Sequence, residues 1–193
     1  MTEPRLILAS TSRYRRELLG RLRLPFESVA PQVEEDQHAG ESVESMVARL
    51  AEAKARAVAR VHPGALVIGA DQAASLGGHA LGKPGDRERA IEQLALCSGQ
   101  HVLFHTALCV IDAQGRQAAD LDTTTVRFRT LTDTEIARYV DAEQPYDCAG
   151  SFKCEGLGIS LFEAIETSDP SALIGLPLIR LCALLRRAGV AVP

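Results

Sequence analysis

No apolar run in this 193-residue sequence approaches the roughly 18 residues of a membrane span, so no membrane-spanning helix is expected. Its five cysteines, Cys97, Cys109, Cys148, Cys154 and Cys182, include no C-x-x-C pair and are odd in number. That fits reduced thiols in a cytoplasmic protein better than a disulfide scaffold or a zinc site. An excess of positive charge is also missing: 21 Lys and Arg stand against 25 Asp and Glu, for a net charge of -4. Such a balance gives no reason to expect nucleic-acid or membrane-surface binding. There is no G-K-[ST] phosphate loop and no G-x-S-x-G elbow, and the five histidines lack metal-ligand spacing. The opening MTEPRLILAS carries an acidic residue and only a four-residue apolar run, so it does not read as a signal peptide.

What is present suits one domain with a sizeable core, 46% hydrophobic and 24% charged. Residues 6–9 read as a buried strand, and Ser12 as the cap of a helix to about residue 22. A short strand at 26–29 and an acidic loop precede a helix over 43–61. The apolar face of that helix passes through Val47, Leu50, Ala51, Ala57, Val58 and Val61, and Lys54 falls on it. "ALVIGAD" is a buried strand ending at Asp71, followed by a turn-rich connector, "HALGKPGD". A helix over about 86–97 is closed by Gly99, and long strands follow over 101–112 and 120–131. Thr132-x-x-Glu135 is a capping box, residues 148–160 are irregular and Gly-rich, and a last helix runs from Pro177 to Gly189. Strands and helices interleave, so the fold class is α/β, or mixed α+β, around one main sheet.

Several groups could carry chemistry. Ser10, Ser12, Arg15 and Arg16 stand where a buried strand hands over to a helix. A helix start favours anions, and guanidiniums match phosphate oxygens, so the group reads either as a phosphate cradle or as a solvated, Ser-capped first turn. Lys54, on an apolar stripe, must snorkel or meet an anion, and exchange for Met should then keep or raise stability. Asp71, at the end of an apolar strand, either joins a ligand site or caps the next element. Glu34, Glu35 and Asp36 form an acidic run and Lys83 sits in a turn. Taken together, carboxylates, cations and a helix start are what phosphoryl transfer requires.

"LASTSRYRRELL", "APQVEED", "ARLAEAKA", "IGADQ", "LGKPG", "CAGSFKCEGLG" and "DPSALIGLPL" occur in that order. In this succession the chain resembles the Maf family of nucleoside triphosphate pyrophosphatases, from Leu6 to about residue 187. The resemblance implies a fold like that of inosine triphosphate pyrophosphatases: a long bent sheet flanked by helices, with a cleft between two lobes. It implies cytoplasmic cleavage of a nucleoside triphosphate to monophosphate and pyrophosphate, with Mg²⁺ or Mn²⁺ as cofactor and a homodimer open as the assembly. Asp71 matches the proposed proton acceptor, with Glu35 and Asp71 as metal ligands. Ser10, Arg15, Arg16, Lys54 and Lys83 match the polar lining. Tyr14, Gln72 and Glu155 match the branch acting on 7-methyl-GTP. The branch acting on dTTP and UTP has Arg, Thr and Gln there. That branch, or a nucleotide-binding regulator of septum formation, is the alternative. The 7-methyl-GTP branch more often has Trp at the position of Tyr14, and Pro is commoner at that of Arg13.

Overall fold

A computed structural model describes residues 5–193; Met1–Pro4, the start of the segment read as no signal peptide, lie outside the described residues. The order is β1 (Leu6–Ala9), α1 (Arg13–Gly20), β2 (Glu27–Ser28), α2 (Val43–Val61), β3 (Leu66–Leu76), β4 (His79–Leu81) and α3 (Arg87–Cys97). Then follow β5 (His101–Ile111), β6 (Gln117–Phe128), α4 (Asp133–Glu143), β7 (Phe162–Glu166) and α5 (Leu178–Arg187). The strands form one seven-stranded mixed sheet in the order β2-β1-β3-β5-β6-β7, with β4 paired to β3. Strand β1 pairs in parallel with β2 and β3, whereas β3–β4 and β6–β7 are antiparallel. The fold is thus mixed α/β, as the interleaved pattern predicts.

Two compact units emerge, and β3, β5 and β6 each contribute residues to both. The first contains the chain up to Gln72, Thr106–Asp122 and Asp169–Pro193. Its core joins β1 and β3 to α1 and α5 through Leu8, Leu18, Leu19, Ile68, Leu181 and Leu185. Removing such apolar surface from water, at ~25 cal/mol per Å², is the main force holding these elements together. The second contains Ala73–His105 and Thr123–Ser168. Phe104, Phe128, Phe152 and Phe162 form a cluster there, packed edge to face with ring centroids 4.7 to 5.6 Å apart.

The sequence expectations need several corrections. Strand β3 does not end at Asp71 but continues five residues to Leu76. The "HALGKPGD" connector begins with a strand, because His79–Leu81 turns back on β3. Strand β2 is only two residues long, α1 stops at Gly20, and β6 begins at Gln117. On α2, Ala57 is only half-buried and Val61 is 68% exposed, because the buried face runs through Met46 and Ala55 instead. Pro177 precedes α5 rather than opening it. All five cysteines are free thiols, as predicted. The capping box is present, with Glu135 N donating to Thr132 Oγ1 and Thr132 N donating to Glu135 Oε2.

Candidate functional site

The first unit gathers most of the candidate residues. Lys54 reaches β3 because Gly69 lets α2 approach: a Cβ on Gly69 would lie 2.2 Å from Ala51 O. A side chain there is sterically forbidden, so only glycine allows the backbones so close. From that helix Lys54 Nζ stands 2.6 Å from Asp71 Oδ1 and 2.7 Å from Glu35 Oε1. Lys54 and Asp71 are 5% and 7% exposed, whereas the Glu35 side chain is 62% exposed. Of the two fates open to Lys54, the structure selects pairing with anions over snorkelling. A buried ammonium is tolerable because two carboxylates share its charge.

Arg15 leaves the first turn of α1 and donates from Nε to Gly175 O at 2.9 Å. Burial pushes its pKa down from the ordinary arginine value, and the charges of Asp71 and Glu35 pull it back up. Arg16 is exposed on the same turn. Ser10 is buried; its Oγ accepts from Ser12 N at 3.1 Å, and Ser12 Oγ caps α1 by accepting from Arg15 N. The amides of Ser12 and Arg15 are thereby engaged within the chain. Tyr14 is half-buried, and the Arg13 guanidinium carbon lies over its ring, 4.8 Å from the centroid. Gln72 Nε2 donates to Thr106 Oγ1 at 3.0 Å, Ala172 O at 2.8 Å and Leu173 O at 3.1 Å.

Lys83 and Glu155 belong to the second unit, and both are exposed. Lys83 lies between β4 and α3. Glu155 accepts from the Cys154 thiol at 3.4 Å, and burial pushes that thiol up to about 12, which keeps it protonated at neutral pH. The Glu155 segment is tied down by Tyr139 Oη, which accepts from Lys153 N, and by Glu143, which accepts from Leu157 N.

A divalent cation fits what is present. Glu35 and Asp71 each bring a carboxylate oxygen into contact with one point, the Lys54 ammonium. Hard cations take such oxygens, and Mg²⁺ is commonly held by one or two carboxylates with substrate phosphates completing its shell. Among the described residues no group of three or more His, Cys, Asp or Glu converges, so the remaining ligands would be phosphate oxygens or water. Sequence reasoning missed Thr106, Asp169 and the carbonyls of residues 172–175. The signal that could have found Asp169 and these carbonyls was the motif "DPSALIGLPL", in which no single residue was given a role.

This fold and this mixed-charge group define a class, and comparison with known proteins agrees on the architecture. The structure of a HAM1 protein from Coxiella burnetii superposes with a TM-score of 0.51 over 96% of this chain and 100% of that one, at 12% identity. The family model described as "Maf-like protein" matches residues 5–188. The chain belongs to the Maf-like family. It is 58% identical over 190 residues, 98% of this chain and 100% of the relative, to the 7-methyl-GTP pyrophosphatase of Xanthomonas axonopodis pv. citri. It is 56% identical over 187 residues to the 7-methyl-GTP pyrophosphatase of Bordetella avium, covering 97% of this chain and 94% of that one.

Proposed function

We propose that the chain is a nucleoside triphosphate pyrophosphatase that cleaves 7-methyl-GTP to the monophosphate and pyrophosphate, clearing a modified nucleotide in the cytoplasm. The observation that carries the reading is the buried Lys54 ammonium held between Glu35 and Asp71, with the Arg15 guanidinium in their field. Water attacks the α-phosphorus in line, and pyrophosphate leaves. Arg15, Arg16, Lys54 and Lys83 offset charge on the phosphate chain. Asp71 orients the water or takes its proton. Glu35 and Asp71 would hold Mg²⁺ or Mn²⁺, which when bound supplies charge neutralisation and a more acidic water. Lys54 and such a cation would compete for the same two oxygens.

Base preference rests on Tyr14, Gln72 and Glu155, together with the activity named for the relatives. The 7-methylguanine edge offers N1–H and a 2-amino group, both donors, and the Glu155 carboxylate only accepts. Its charge also suits a cationic base. The Tyr14 ring attracts such a base by a cation–π contact of roughly 0.5–2 kcal/mol.

Pyrophosphate release from a panel of 7-methyl-GTP, GTP, dTTP and UTP tests this. The expected result is highest kcat/KM with 7-methyl-GTP. Cleavage of dTTP at least as fast would transfer the protein to the dTTP and UTP branch. Binding without turnover would make it a nucleotide-binding regulator.

A further inference from the structure

The Asp169 carboxylate is 1% exposed, and each of its oxygens takes at least two donors. Oδ1 accepts from Ser171 N at 3.2 Å and from Ser171 Oγ at 2.6 Å. Oδ2 accepts from Ile179 N at 2.7 Å and from Arg180 N at 3.2 Å. One carboxylate therefore closes the turn at 169–171 and caps the first turn of α5, where unpaired amides and the helix dipole favour an anion. Ser171 Oγ adds a strut by accepting from Leu178 N at 2.7 Å.

The chain between these anchors acts through its carbonyls. Ala172 O accepts from Gln72 Nε2 and from Thr106 Oγ1, Leu173 O accepts from Gln72 Nε2, and Gly175 O accepts from Arg15 Nε. A carbonyl can only accept. Two carbonyls at one end of the Gln72 amide therefore fix that end as NH₂, because a flipped amide would set oxygen against oxygen. Oε1 is left as the acceptor that Gln72 offers. Likewise Arg15, held through Nε, keeps its terminal nitrogens for an anion.

We infer that Asp169 is a positioning residue for the nucleotide site: it folds residues 169–178 so that Gln72 presents a hydrogen-bond acceptor and Arg15 is aimed. The inference rests on the reading of Arg15 and Gln72 as substrate contacts. It assigns Gln72 a partner class, a donor on the base such as the N1–H or amino group of a guanine. An amide free to flip would accept either class and discriminate little.

Asp169→Asn sets an amide NH₂ against at least one backbone donor whichever way it turns and should loosen the segment. KM for 7-methyl-GTP should rise about tenfold, with kcat changing much less, because small misplacements of binding groups carry such costs. Preference for guanine nucleotides over ATP, whose ring N1 is an acceptor, should narrow, since Gln72 can then turn. Calorimetric binding of GTP should weaken in parallel through Arg15. Ser171→Ala and Thr106→Val should move the same readouts in the same direction by less, and they decide the matter if Asp169→Asn fails to fold. Folded variants with unchanged KM, preference and GTP affinity would overturn the inference, whatever their melting temperature. A wild type that binds GTP without preferring 7-methyl-GTP overturns the proposed function instead, and the GTP affinities of the variants still decide the role of Asp169.

Discussion

The two compact units bury different chemistry. All the buried carboxylates among the described residues, Asp71, Asp112, Asp122 and Asp169, lie in the first unit, with the buried Lys54. The buried polar residues of the second are Ser75, His105, Thr124 and Ser151, and its interior is built on four phenylalanine rings. Rings are held by area and need no partner, whereas a buried charge costs several kcal/mol unless it is paired. Both units are held by packing, but the first must also pair the charges it buries. Asp122 illustrates the rule: it is fully buried and accepts from Arg180 Nε at 3.0 Å.

The largest expected effect breaks the second unit's side of this contrast. Phe152 is 5% exposed and touches three other rings. Phe152→Ala should cost about 3–5 kcal/mol of stability, a fall in Tm of roughly 10 °C. Thermal melting measures it; a loss confined to activity would show that the ring cluster is not what holds this unit.

Next is Lys54→Met. From the sequence alone this exchange should keep or raise stability. The observed pairing reverses the sign, because the substitution strands Asp71 without its closest cation. Stability should fall by about 3 kcal/mol, and Asp71→Asn in the same chain should restore most of it. An additive double-variant result would mean that the two groups do not interact.

Asp71→Asn alone should act on turnover rather than on the fold, since Lys54 keeps Glu35 as a partner. A loss in kcat of about a hundredfold or more, near 2.7 kcal/mol of barrier, is expected with Tm almost unchanged. Retention of more than about a tenth of wild-type kcat, a barrier change below roughly 1.4 kcal/mol, would remove Asp71 from the reaction.

The smallest effect sits on the second unit's surface. Hydrogen bonds from Thr132 N and Oγ1, then the Arg129 contact, hold Glu135 down from 4.5 to about 2. A folded-state value below the unfolded one stabilises above pH 4.5 and loses that contribution as pH falls towards 2. Thr132→Ala should lower Tm by roughly 2–4 °C at pH 7. The gap from wild type should shrink between pH 5 and pH 2.5 on melts across that range.

Whatever depends on side-chain type was legible in the sequence. The capping box, the place of Lys54 on the buried face of α2 and the free thiols follow from residue identity, whereas Ala57 and Val61 were wrongly put on that face. Asp71 looked like a strand end because a polar Asp-Gln pair interrupts an apolar run, yet both residues are accommodated within β3. Their burial is tolerated because Lys54 and the 172–173 carbonyls partner them, and such long-range partners leave no local pattern. The 169–178 segment stood out as the motif "DPSALIGLPL", but its role did not, because its working atoms are backbone oxygens, which every residue has. Asp169 was visible only as the first residue of that motif, since its partners at Ile179 and Arg180 lie beyond the local window.

The bare backbone contact at Gly69 sets how closely α2 can lie on β3. At Gly69 even a methyl group would stand 2.2 Å from Ala51 O and 2.7 Å from Ala55 N, both of them main-chain atoms that no rotamer change can move aside. One added carbon there would lever the helix off the strand and draw the lysine away from its carboxylates, disarming the protein without altering a single charge. A position with no side chain at all thus keeps the lysine in its place beside β3.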